Sequence, residues 1–208
     1  MGEIVLFKER VRQVAIREAV NYKNTFIDYS YLICFDTPSG KKHYVISGKQ
    51  DNYAHLLGIN ILCSPDEFFT KCIDGSLMET DFNFSKPGQK EEDVKGTVRR
   101  KINSLEKMKD LFRAKVFVEE SFCKNNVICA IAATDLNITV GFSSGKKSYP
   151  KTLLKGNELS GNAVEPLLIL RKKDDADLFS EIIYGNEKDI DLFAKDIGHL
   201  LLKKDKID

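Results

Sequence analysis

The sequence predicts an α+β fold: N-terminal and central helices packed on a curved, mainly antiparallel sheet, with a C-terminal helix. Three observations carry this. Apolar residues recur every three or four positions in two stretches, Phe7 to Tyr22 and Val94 to Phe112. The second half instead holds short apolar runs whose polar and glycine-containing gaps are too short for the helical crossovers of a parallel sheet. A helix start signal at Asn186 and Asp189 then precedes the stripe Ile190, Phe193, Ala194, Ile197, Leu200 and Leu201.

Taken in order, Phe7, Val11, Val14, Ala15, Ala19 and Tyr22 make an amphipathic first helix, with Lys8, Glu9, Arg12, Arg17 and Glu18 between them. YLICF and HYVIS, separated by Thr37-Pro38-Ser39-Gly40, read as a hairpin. Asn52 stands where it could cap one helical turn that Gly58 ends. Ser64-Pro65-Asp66-Glu67 opens a further helix that runs to about Gly75. A polar loop, NFSKPGQKEEDVKG, leads to the helix from Val94 to Phe112. KVFVEE, VICAIAAT, NITVGFS, SYPKTLL and PLLILRK follow as one meander, with Asp135-Leu136-Asn137 as a hairpin turn and SEIIYG as an added strand. Residues 1–208 are expected to form a single domain: helix, hairpin and helices over 1–115, strands over 116–185, and a helix over 186–208.

The chain is 42% hydrophobic and 30% charged, enough apolar material for a core. The longest apolar run, Val127 to Ala133, is far too short to cross a bilayer. The N-terminus reaches charge too soon for a secretory signal, so the expected location is cytoplasmic. Five cysteines without a CxxC pair exclude a disulfide framework and a zinc ribbon, and Cys123 and Cys129 have no histidine nearby to complete a metal site. The net charge of +1 conceals an uneven distribution. Lys86 to Lys115 holds ten basic against five acidic residues, Gly141 to Lys173 seven against two, and Asp174 to Asp208 five against ten. Basic segments of this kind meet phosphates or simply solvate a surface.

No P-loop, dinucleotide fingerprint, HExxH or GxSxG motif occurs, and no acidic cluster has metal-ligand spacing, so neither metal nor cofactor is expected. SSGKKS, Ser143 to Ser148, lacks the full phosphate-loop spacing and reads as a polar hairpin tip, although a small-molecule enzyme could use the same loop. His55, in KQDNYAHLLGIN, is either a ring packed against the hairpin or a general acid–base group, because imidazole titrates near neutrality. His43 and His199 carry weaker signals.

The order of hairpin, NYAHLLGI, helix, long helix and strand series ending in SYPKTLL, from about Tyr31 to Lys172, resembles a phage-type family of barnase/EndoU/colicin/RelE-like nucleases associated with mobile elements. The resemblance implies a compact α+β domain and a metal-independent ribonuclease mechanism, in which the RNA 2′-hydroxyl attacks its own phosphate. It places His55 at the family's HLLG position and Tyr149 and Thr152 in its second motif, with Lys49 a nearby cation. A clear second histidine is missing from this pattern, and His43 serves only if its strand face points into the cleft.

The expected function is therefore RNA cleavage or RNA binding, with His55, Lys49, Tyr149 and Thr152 as catalytic residues and Arg99, Arg100, Lys146 and Lys147 as substrate contacts. The alternative is a non-catalytic interaction protein of a phage or mobile element, for example an inhibitor of a host defence system, that grips a host or phage protein. Expected partners are accordingly RNA or such a protein, and not a membrane.

Overall fold

The computed structural model of the chain describes residues 2–113 and 115–202. Helix α1, Gly2–Tyr22, buries Val11, Ala15 and Ala19 completely. It runs on into a π-helical turn, Lys23–Ile27, which the Asp28 N–H closes by donating to Lys23 O, five residues back, at 2.9 Å. The predicted hairpin follows as β1, Tyr29–Thr37, and β2, Gly40–Ile46. Its register sets Cys34 opposite His43 and Leu32 opposite Val45. Because side chains alternate across a strand, these four share one face, while Tyr31, Ile33 and Phe35 face the large core on the other.

A 3-10 turn, Gln50–Asn52, leads into α2, Tyr53–Leu57, where the expected Asn52 cap is absent. Asn52 has helical backbone angles and no capping bond, because the 3-10 turn already gives the Tyr53 N–H the carbonyl of Gln50. Gly58 does end α2, in the left-handed region at φ 76°. Strands β3, Asn60–Ile61, and β4, Phe82–Asn83, flank α3, Pro65–Asp74, whose N-cap Ser64 accepts from the Glu67 N–H at 3.2 Å. The long helix is shorter than its apolar spacing suggested. Helix α4 spans Glu91–Leu105, and Met108–Asp110 is a separate 3-10 turn.

Eight strands follow: β5, Phe117–Glu120; β6, Cys123–Lys124; β7, Val127–Ile128; β8, Ile131–Thr134; β9, Ile138–Phe142; β10, Pro150–Lys155; β11, Leu168–Lys173; and β12, Glu181–Tyr184. Helix α5, Glu187–Ile197, and a 3-10 turn, Gly198–Leu200, come last. The capping box of α5 forms as the sequence predicts, with Asn186 accepting from the Lys188 N–H and Asp189 from the Asn186 N–H.

The expected single meander is two antiparallel four-stranded sheets, ordered β10-β9-β8-β5 and β12-β11-β1-β2. PLLILRK leaves the meander and pairs with β1. The reason lies in β1, which is buried on both faces from Ser30 to Phe35 and so needs a hydrogen-bonded neighbour along each edge. The polar segment after β10 is long enough to make the crossing. The sheets meet where Ile46 pairs with Ser148. Helices α1 to α4 and the inner sheet faces enclose the large core, whereas α5 covers the outer face of β1 and β11 with Phe193 and Ile197. Among the described residues no helix is long and apolar enough to cross a membrane.

Candidate functional site

The site grows from the outer face of β2. His43 stands on that face beside Val45, at the margin of the apolar cluster under α5. The SSGKKS segment is the tip of the β9–β10 hairpin. Ser143 N donates to Tyr149 O at 2.9 Å, and Ser143 Oγ accepts from Tyr149 N at 3.0 Å. The tip lies along the end of β2, with Ser148 N donating to Val45 O at 2.7 Å and Ser47 N to Ser148 O at 3.1 Å. The turn after α5 approaches from the third side. Phe179 N donates to Leu200 O at 2.8 Å and Leu202 N to Phe179 O at 3.0 Å, which fixes His199 in place.

Together these elements enclose a cavity of about 430 Å³ lined by His43, Tyr44, Val45, Gly145, Lys146, His199 and Leu200. Both histidines and Lys146 are exposed, and among the described residues no carboxylate lines the cavity. Tyr44 donates to Glu120 Oε1 at 2.6 Å; desolvation and that carboxylate push its phenol up, so it stays a neutral hydroxyl. Lys146 makes no ion pair with another described residue, whereas Lys147 is held by Asp174 at 2.7 Å. Asp174 also accepts from Ser30 Oγ at 2.7 Å and Ser47 Oγ at 3.3 Å. Burial raises the Asp174 carboxyl, but Lys147 and the two hydroxyls outweigh this and hold it below the usual carboxylate range. Asp174 thereby ties β1, the residue after β2 and the hairpin tip together.

The residues singled out from sequence fall at several places. Lys49 and Tyr149 meet, with the Lys49 ammonium 4.3 Å from the centre of the Tyr149 ring. Gly48 holds this shelf against the core, since a Cβ there would come within 2.8 Å of the Phe26 backbone. Thr152 is 7% exposed, and its methyl faces Gly141, so it packs inside rather than on an open cleft wall. His55 is exposed on α2, with Leu56 and Leu57 fully buried beside it, and its ring has no hydrogen-bond partner among the described residues. Arg99 lies over the Phe7 ring at 5.0 Å and Arg100 donates to Thr97 Oγ1 at 3.1 Å, both on α4. Lys146 and Lys147 instead sit on the β9–β10 hairpin tip. Among the described residues no group of three or more His, Cys, Asp or Glu side chains is placed to hold a metal ion.

The sequence profile of one nuclease family matches residues 16–200, most of the chain. The chain belongs to the phage-Barnase-EndoU-ColicinE5/D-RelE like nuclease4 (PBECR4) family. No curated protein and no solved structure matches it. As a PBECR4 member it is a nuclease-like, phage-associated domain. The match takes in His43, His55, Lys146, Tyr149 and His199.

The sequence alone gives His43 and His199 weaker signals than His55 and leaves His43 conditional on its strand face. The alternation of His43 with Val45 was the available signal, because an apolar partner two residues on marks the face that another element covers. Nothing local indicated that the covering element would bring a second imidazole. Lys101 was also missed as an individual. Its Nζ donates to His55 O at 2.9 Å and its stem crosses Gly58, where a Cβ would lie 2.8 Å from Lys101 Cδ. Desolvation and the neighbouring Lys86 charge bring the Lys101 ammonium down to about 8.

Proposed function

We propose that this PBECR4 domain is a metal-independent endoribonuclease whose acid–base pair is His43 and His199. The single observation that supports this reading is that, among the described residues, two imidazoles and a lysine without an ion pair line one cavity with no carboxylate beside them. Cleavage of RNA by its own 2′-hydroxyl needs a base for that proton, an acid for the departing 5′-oxygen, and a cation beside the crowded phosphate. One neutral imidazole removes the 2′-proton as the 2′-oxygen bonds to phosphorus. The protonated imidazole then delivers its proton to the 5′-oxygen as that bond breaks, leaving a 2′,3′-cyclic phosphate. Lys146 offsets the charge on the non-bridging oxygens. The Lys49–Tyr149 shelf, with an aromatic face and a cation, suits an adjoining nucleotide of the same strand.

The test is cleavage of a single-stranded RNA in the presence of chelator by the parent, His43→Ala and His199→Ala. Each substitution should lower the rate by about 10² or more, the scale for loss of a general acid or base. Because each ring is exposed, the folded fraction should not change, and circular dichroism checks this. The parent's rate should pass through a maximum with pH, since one ring must be neutral while the other is charged. Parent protein that binds RNA or a protein without cutting would favour the interaction-protein alternative.

A further inference from the structure

A second polar cavity lies away from the histidine pair, and its construction starts in the π-helical turn. Such turns interrupt the regular helix ladder and are frequent at functional sites. Here the turn sets Asn24 and Thr25 into the wall of a cavity of about 330 Å³. Opposite them stand Tyr31 of β1, Arg171 of β11, and Lys109 and Arg113 from the segment after α4. Tyr31 is 4% exposed and packs on Phe112 with ring centres 4.8 Å apart. Its hydroxyl end lies within the influence of both Arg171 and Arg113.

The charges do not cancel within this wall. Among the described residues Glu181 is the one carboxylate lining the cavity, and both of its oxygens are taken by Arg171, at 2.7 and 2.8 Å. Arg171 is further fixed by lying 4.5 Å from the centre of the Tyr29 ring. Arg113 has only a long contact to Asp110, at 3.5 Å, and Lys109 has no ion pair among the described residues. A rigid guanidinium, two more adaptable cations, and the amide and hydroxyls of Asn24, Thr25 and Tyr31 are a donor-rich set facing little negative charge. Guanidinium forks match phosphate geometry, and a dianion uses more than one cation.

We propose that this cavity binds a phosphate monoester of about mononucleotide size, at a site separate from the two-histidine cleft. Its volume admits one nucleotide rather than a strand, and its cations suit a terminal phosphate better than a singly charged diester. The proposal does not depend on the ribonuclease reading.

The experiment is calorimetric titration of the full chain with inorganic phosphate, adenosine 5′-monophosphate, adenosine 3′-monophosphate and adenosine. Phosphate and at least one monophosphate should bind at up to millimolar concentration, and adenosine should not. The double variant Lys109→Ala/Arg113→Ala, at exposed positions that leave Arg171 and Glu181 in place, should bind roughly tenfold or more weakly, the scale of lost hydrogen bonds to a charged group. Lys146→Ala should keep the binding event that the double variant weakens, whatever it does to anions in the histidine cleft. Absence of binding, unchanged binding in the double variant, or loss of binding in Lys146→Ala would each overturn the proposal, the last by moving the anion to the histidine cleft.

Discussion

Lys147 Nζ sits 2.7 Å from Asp174 Oδ1, while Lys146, its neighbour in the chain, faces the histidine cavity without an ion pair among the described residues. Two adjacent lysines in one turn therefore have different work. Lys146→Ala should weaken RNA binding and cleavage across sequences, with a flatter salt dependence because one phosphate contact is lost. Lys147→Ala should act through the loop's position. Asp174→Asn, which weakens the tie to Lys147, should reproduce the effect of Lys147→Ala and not add to it when the two are combined. Rates of the two single variants and the double, set out as a cycle, decide the matter.

His55 provides the sharpest contrast with the cleft. Its ring is exposed and the fold at α2 rests on the buried Leu56 and Leu57, so His55→Ala should leave the thermal midpoint nearly unchanged. If His43 and His199 carry the proton transfers, this variant should cleave RNA within a few-fold of the parent. A drop of about 10² would instead assign the acid–base chemistry to His55.

Lys101 predicts a pH dependence of stability. Its folded value, about 8, lies below the ordinary 10.5, so between these values the unfolded chain binds more protons than the folded one. Stability from this group therefore rises with pH across that window. Below it both states are protonated and the cost of confining the ammonium is constant. Lys101→Met keeps the stem over Gly58 and removes the titration. The variant should exceed the parent in melting temperature most at neutral pH, and the gap should narrow toward about pH 9.5, before tyrosines titrate. A gap independent of pH would remove this account of Lys101.

The thiols should separate by rate. Burial pushes Cys34 and Cys72 up to about 12, and Cys129 is also buried and raised, whereas Cys123 is exposed on β6. A thiol reagent should therefore modify one site quickly, and Cys123→Ser should abolish that fast phase. Cys63 is half-buried and desolvation raises its thiol as well, so a second fast equivalent in the folded protein, at Cys63, Cys34 or Cys72, would contradict this order.

Much of the fold was readable because local signals and burial agreed. Ser64-Pro65, Gly58, Gly75 and the Asn186–Asp189 box mark helix ends by backbone chemistry that acts over a few residues. The partner of β1 was not readable, since PLLILRK carries the same apolar run whether it extends the meander or crosses to the other sheet. The end of α4 was obscured because Met108 and Phe112 are buried and keep the helical spacing after the α-helix has stopped. Lys49 and Tyr149 were named together and do meet, but charge counts could not tell Lys146 from Lys147, because the difference lies in Asp174. Site chemistry depends on which distant segments meet, and here a strand, a hairpin tip and the turn after α5 do so.

That turn sets the order in which the molecule can acquire its proposed chemistry. His43 enters the polypeptide early and His199 only after every strand has been made, with α5 between them as the brace. A nascent chain, or one clipped by a protease ahead of Glu187, carries one imidazole of the pair and lacks Leu200 to hold the other side of the cavity. RNA near such a fragment, including the message being translated, meets a lysine-bearing surface without the second proton carrier. On the proposed mechanism, synthesis of α5 and the turn after it is the step that completes the pair.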